Sequence, residues 1–223
     1  MDTTKELEFY TSITQTRLSQ STDVYSVLKE HFNFDKIECV ETGASQNLED
    51  GCFGLYLAKI TESSGGIYHS VDIHEDTINK SKLMFERYLP NFKVEHHVSD
   101  SVDFLKSYQG NPNLVHLDSW DLEIPNPVSS MLHCWLEFST IKDKMPSGSI
   151  CIIDDNYLNG TTVYWNILNN GNHVKTLPID ITYDIIGKGS LVYHWVKNYN
   201  TDWELIGNHY HAGPNIKLIL KKK

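Results

Sequence analysis

"SICIIDDN" (Ser149–Asn156) is an apolar run rich in β-branched residues that stops abruptly at two carboxylates and an amide. Adjacent acids repel each other and are costly to desolvate unless a positive or hydrogen-bonding group meets them. The stretch is therefore a buried strand that ends either in a solvated loop or at a cation. Four earlier runs share its character: "KIECVE" (Lys36–Glu41), "GIYHSVDI" (Gly66–Ile73), "FKVEHHV" (Phe92–Val98) and "NLVHLD" (Asn113–Asp118). Helical spacing fills the gaps, in "GCFGLYLAKI" (Gly51–Ile60), the amphipathic "EDTINKSKLMFERYL" (Glu75–Leu89), "SVDFLKSY" (Ser101–Tyr108) and an apolar stretch over Val128–Ile141. Strands alternating with helices through short connections predict βαβ units and a mostly parallel sheet.

The flanks differ from this core. Thr3 to about Phe32 shows helical spacing (Leu7, Tyr10, then Val24, Val27 and Leu28) with a break near Ser19–Thr22, which predicts two short helices. A further helix is expected near Thr161–Asn169. Beyond it, "SLVYHWV" and "NIKLILK" are expected to be two late strands forming an antiparallel edge. The expectation is an α/β, Rossmann-like, doubly wound, mostly parallel seven-stranded sheet with an antiparallel C-terminal edge and N-terminal helices. No repeat, low-complexity tract or linker divides the chain, so one domain is expected over 1–223. It comprises an N-terminal helical cap (1–34), a cofactor- and metal-binding core (35–157), and a C-terminal part with a lid and antiparallel strands (158–223).

Bulk properties narrow the function. The 223 residues carry a formal net charge of -10, which argues against a general nucleic-acid binder. Cys39, Cys52, Cys134 and Cys151 form no CxxC pair and read as small buried residues of a reducing compartment. The N-terminus "MDTTKELEFY" has no apolar signal region, and no run approaches the roughly 20 apolar residues of a membrane span. A cytoplasmic protein with no membrane partner is expected; the reading leaves room for a homo-oligomer.

In open parallel sheets ligands bind beyond the carboxyl ends of the strands. Each of the five strands ends in an acid: Glu41, Asp72, Asp100, Asp118 with Asp121, and Asp154 with Asp155 and Asn156. The small turn Gly43-Ala44-Ser45 after the first strand lets a ligand approach the backbone closely. Asp72 lies about 30 residues further on, where an acid can accept both hydroxyls of a ribose, and His74 follows beside it. The first loop carries no phosphate-binding glycine pattern, and Glu41, Glu49 and Asp50 would repel a pyrophosphate. A nucleoside with a neutral or positive tail suits it better.

In their order and spacing, "VETGAS…EDG", "SVDI", "VSDS" and "LDSWD" resemble the successive motifs of class I S-adenosylmethionine-dependent methyltransferases, over roughly Lys36 to Asn156. The resemblance implies that Glu41 and Gly43 face the methionine and sulfonium part, with Ser45 also on the cofactor. It implies Asp72 on the ribose, and Asp100 and Ser101 on the adenine. "LVHLDSWD" followed by "IIDDN" is similar to the metal-dependent O-methyltransferases. The catechol and caffeoyl-CoA type implies Mg²⁺ ligands Asp118, Asp155 and Asn156, whereas the macrocin-type sugar enzymes imply an Asp-Asp pair that recruits Asp154. Oxygen donors favour Mg²⁺, then Mn²⁺ or Ca²⁺. The lysine base of the catechol type is replaced by Asp121.

The function expected is metal-assisted O-methylation of a small polyhydroxylated acceptor, a sugar or polyol before a catechol, by in-line displacement, with Asp118 and Asp121 as catalytic residues. Rival readings are a nucleotide- or NAD-binding oxidoreductase and a catalytically silent binding protein. His116 reads as a core or sheet-face histidine, and His96-His97 as residues near the third strand's end. His209 and His211 read as an exposed loop. Trp120 and Trp165 are candidate pocket walls, and Tyr157–Thr162 a candidate lid.

Overall fold

The structure is a computed structural model that describes residues 4–13, 18–48, 53–122, 127–158, 167–169, 172–174, 185–208 and 216–223. Five strands, β1 (Glu38–Thr42), β2 (Ile67–Asp72), β3 (Val94–Val98), β4 (Leu114–Leu117) and β5 (Ile150–Leu158), pair in parallel. With β9 (Trp203–Asn208) and β10 (Ile216–Lys222), the order is β3-β2-β1-β4-β5-β10-β9, and a short β8 (Ile185–Gly187) pairs with the far end of β5. Leu114–Leu117 is buried throughout, and β1 from Cys39 onward is buried as well. Strands covered on both faces need continuous apolar sequence, which is why these runs show no alternation.

Helices supply the cover. One core gathers Tyr10 of α1 (Thr4–Ile13), Val27, Leu28 of α2 (Leu18–His31), Leu55 and Ile60 of α3 (Phe53–Ser63), and Phe85 of α4 (Glu75–Tyr88). A second core gathers Leu105 of α5 (Ser101–Ser107), Phe138 and Ile141 of α6 (Val128–Ile141), Val192 of α7 (Ser190–Tyr199), and Trp203. The sheet is thus doubly wound. Its order reverses between β1 and β4, the switch point at which open α/β sheets place their ligands.

The expected core elements are present, and several flanking expectations need correction. Ser19–Thr22, where a break was expected, lies inside α2, whose buried stripe is Val24, Val27 and Leu28. "SLVYHWV" is the helix α7, not a strand. Ser190, Val192 and Val196 are its buried residues, and Val192 with Val196 makes the i, i+4 pair that packs on the second core. Tertiary burial overrides its β-branched and aromatic composition. The two late strands are β9 and β10. β10 runs antiparallel to β5 and to β9, which sets the outermost strand β9 parallel to the first five.

β6 (Ile167–Asn169) pairs with β7 (Asn172–Val174), so the C-terminal end of the helix expected near Thr161–Asn169 is a strand. Tyr157 and Leu158, the first two residues of the expected lid, belong to β5, opposite Ile186 and Ile185. The rest of that segment, with Trp165, Glu49, Asp50, Cys52, His209 and His211, lies outside the described residues. Cys39, Cys134 and Cys151 are buried thiols. No helix among the described residues is long and apolar enough to cross a membrane.

Candidate active site

The turn after β1 is locked against two neighbouring strands. Gly43 has φ +79° and donates its N–H to the Val71 carbonyl at 2.9 Å. A Cβ there would collide with the Asp118 carbonyl, so only glycine lets β1 and β4 end this close together. Asp72 accepts the Ala44 N–H at 3.2 Å and the His74 N–H at 2.8 Å, which fixes its carboxylate at the mouth of the turn. Ile73 and Val98, at the ends of β2 and β3, are more than half exposed (59% and 52%). Asp100 caps α5 by accepting the Asp103 N–H at 3.0 Å, and Ser101 lies 2.9 Å from His133 Nε2.

Glu41 lies beneath the turn, fully buried. Ser45 and Ser70 donate their hydroxyls to it at 3.1 and 3.2 Å, and His116 Nδ1 lies 3.4 Å away. The other nitrogen of His116 lies 3.8 Å from Asp154, whose carboxylate pairs with Lys217. A buried line of alternating charge therefore crosses four strands: Glu41, His116, Asp154, Lys217. Burial alone would lower the His116 pKa, but Asp154 and then Glu41 outweigh it and raise it to about 9. Burial likewise opposes ionisation of Asp154, yet Lys217 and then His116 hold it well below the usual carboxylate range. His116 is thus a core histidine, as its strand position implies, set between two carboxylates.

One acid after the fourth strand and one of the fifth meet a second lysine. Lys188, 1% exposed, places its ammonium 2.8 Å from Asp118 and 2.9 Å from Asp155. The turn that delivers it is built from glycines: Gly187 has φ +139° and lies against the Asp155 carbonyl, and Gly189 donates its N–H to Asn156 Oδ1 at 2.7 Å. Asp155 itself has φ +54°, a conformation that costs a non-glycine residue about 1–3 kcal/mol and persists only where the surroundings over-determine it. Both acids attract the Lys188 ammonium strongly enough to raise its pKa against the effect of burial. Asp118 is pushed up to about 6, by desolvation first and by Asp154 next, with Lys188 opposing.

These contacts test the expected metal ligands. Asp118 and Asp155 share Lys188, and Asp154 holds Lys217. Asn156 is fully buried, and its side-chain N–H groups go to the carbonyls of Ile153 (2.9 Å) and Asp154 (3.0 Å) while its oxygen takes Gly189. His116, Asp118 and Asp154 do bring one donor atom each within 4.8 Å of one another, but two ammonium groups already neutralise those acids. The donor set of the catechol type, Asp118, Asp155 and Asn156, does not fit a divalent ion in this arrangement. Lys188 lies 70 residues from Asp118, and Lys217 lies 63 from Asp154, and both lysines were missed in the sequence. The available signals were a lysine flanked by glycines in "IGKGS" and a lone lysine opening the apolar run "KLIL".

Beyond this cluster, Trp120 (φ +60°, 51% exposed) lies over His133 with ring centroids 5.3 Å apart, and Asp121 is exposed beside it. Ser119 donates to the buried Glu137 at 2.6 Å, so the loops after β3 and β4 are tied together through α6. Glu137 and His133 have no obvious sequence signal, because a helix conceals which polar residue turns inward.

No protein-family model and no curated protein sequence matches the chain. Solved structures do. SMU.1697c from Streptococcus mutans, described as a methyltransferase in complex with SAH, superposes with a TM-score of 0.58 at 11% identity, covering 92% of this chain and 98% of its own. A protein from Clostridium thermocellum described as an rRNA-methylase gives a TM-score of 0.58 at 14% identity, covering 92% and 97%. The SAH-bound methyltransferase PaMTH1 from Podospora anserina gives 0.55 at 14% identity, covering 98% and 86%. The chain has the Rossmann-like fold of these methyltransferases.

Proposed function

We propose that this chain transfers a methyl group from S-adenosylmethionine to a hydroxyl of a small polyhydroxylated acceptor bound over Asp118 and Asp155. The observation that carries the reading is the mouth of the first turn. There a carboxylate held by two backbone N–H groups, Asp72, lies beside two uncovered aliphatic side chains, Ile73 and Val98. A nucleoside matches that pairing: its ribose hydroxyls donate to Asp72, and its base covers the aliphatic groups. When bound, the cofactor supplies an electrophilic sulfonium methyl group.

The acceptor side is acidic. Asp118 and Asp155 each keep about a third of their side-chain surface (33% and 30%), and Trp120 offers an exposed aromatic wall nearby. With its pKa near 6, Asp118 is ionised at neutral pH and takes the hydroxyl proton, with Asp121 as the second acceptor of that proton. Lys188 pairs with both Asp118 and Asp155, so the reading assigns no step to a divalent ion. Neighbours described as rRNA methylases make RNA the competing acceptor, and the net charge of -10 counts against it.

Methyl transfer from radiolabelled S-adenosylmethionine to a panel of sugars, polyols, catechols and an rRNA fragment tests the proposal. A base must be unprotonated to act, so the rate is expected to rise with pH through about 6. Asp118→Asn is expected to lose about 10²–10⁴-fold at neutral pH. Transfer to RNA alone, or an Asp118→Asn variant with undiminished turnover, contradicts the assignment.

A further inference from the structure

A second cluster of donors lies on the opposite wing of the sheet, away from Asp118. His69 of β2 pairs in register with Glu95 of β3, and His97, two residues along β3, shares Glu95's face. Nδ1 of His69 lies 3.1 Å from Nε2 of His97 and 3.5 Å from a carboxylate oxygen of Glu95, and one donor atom from each lies within 4.8 Å of the others. Bonds of about 2.0–2.1 Å to a tetrahedral ion put its ligands roughly 3.3 Å apart, close to both spacings.

We propose that His69, Glu95 and His97 form a binding site for one Zn²⁺-class transition-metal ion, which ties the edge strand β3 to β2.

The surroundings suit such an ion. Phe104 and Tyr108 cover the imidazoles from α5, with ring centroids 4.6 Å from His97 and 5.1 Å from His69. Glu95 keeps 42% of its side-chain surface, which leaves an entry path and a coordination position for water. Glu95 has no lysine or arginine ion pair among the described residues, and its charge, with that of Glu38 nearby, awaits a cation. Two imidazoles and one carboxylate favour Zn²⁺, Ni²⁺ or Cu²⁺ over Mg²⁺, whose preferred donors are all oxygen. The same feature separates this site from the lysine-filled acids at Asp118.

Calorimetric titration of the chelator-treated full chain with Zn²⁺ tests the site. One ion per chain is expected, with no uptake of Mg²⁺ at these residues. Zn²⁺ is also expected to raise the thermal midpoint. Glu95→Gln and His97→Asn are expected to weaken binding at least about 10-fold and 100-fold and to abolish the thermal shift. Glu95 is exposed enough that Glu95→Gln keeps the fold, and unchanged circular dichroism checks this. No stoichiometric Zn²⁺ uptake by the parent chain overturns the proposal and leaves a hydrogen-bonded imidazole pair. Full uptake by both variants overturns it equally, by placing the ion elsewhere. Binding of S-adenosylhomocysteine is a separate readout, so failure of this site and failure of the proposed activity are distinguishable.

Discussion

Lys188 is the residue on which the chemistry of the acidic edge turns. Two carboxylates drawn to the crevice by β4 and β5 would repel each other, and the structure answers with a buried ammonium in contact with both. Removing one member of a buried ion pair leaves uncompensated charge, so Lys188→Met is expected to cost on the order of 3 kcal/mol in urea unfolding. A change within the ±0.5 kcal/mol of an ordinary surface substitution would show that the pairs contribute nothing. His116 supplies the matching pH test. Its pKa is raised from 6.5 to about 9 on folding, so its contribution is fully present below 6.5 and is lost as pH rises through 9. The parent chain is expected to lose on the order of 3 kcal/mol between pH 6.5 and 10 through this group, and His116→Gln to show a flatter profile over that window. Identical profiles would place the charge elsewhere.

At the scale of elements, legibility followed how local each signal was. The apolar spacing over Val128–Ile141 defines α6 within its own stretch, and its bounds agree with the structure. The strands ending in acids are equally local. "SLVYHWV" is different: valine, tyrosine and tryptophan favour strands, and the helix is decided by burial of Val192 and Val196 against residues far away in sequence. The Gly187-Lys188-Gly189 turn was overlooked for the same reason, since its meaning lies in Asp155 and Asn156 across the β5–β8 pairing. That turn yields its own test. Gly187 combines φ +139° with close approach to the Asp155 carbonyl. Gly187→Ala is expected to destabilise the chain by more than about 1 kcal/mol and to lower acceptor turnover by moving Lys188. Wild-type stability in this variant would contradict the packing described.

For the molecule as a whole, the reversal of strand order between β1 and β4 does most to place function. It brings Gly43 against Asp118 and gathers on one edge acids that are separated by more than 100 residues, from Glu41 to Asp155. The alternation of strands and helices made that edge readable from sequence, together with Asp72, Asp118, Asp154 and Asp155 on it. What the alternation could not convey was which charges are answered from within the protein, because Lys188 and Lys217 come from the C-terminal part and carry no local motif. The expectation of a Mg²⁺ site came from the resemblance of these acidic strand ends to metal-dependent O-methyltransferases, and in the structure Lys188 and Lys217 pair with those acids.

Calorimetry with S-adenosylhomocysteine, in EDTA and again with excess Mg²⁺, tests the central claim most directly. The expected result is one site per chain with affinities equal within about 2-fold in the two conditions, weakened at least about 10-fold by Asp72→Ala. Absence of binding in both conditions, or binding that appears only with Mg²⁺, would contradict the account.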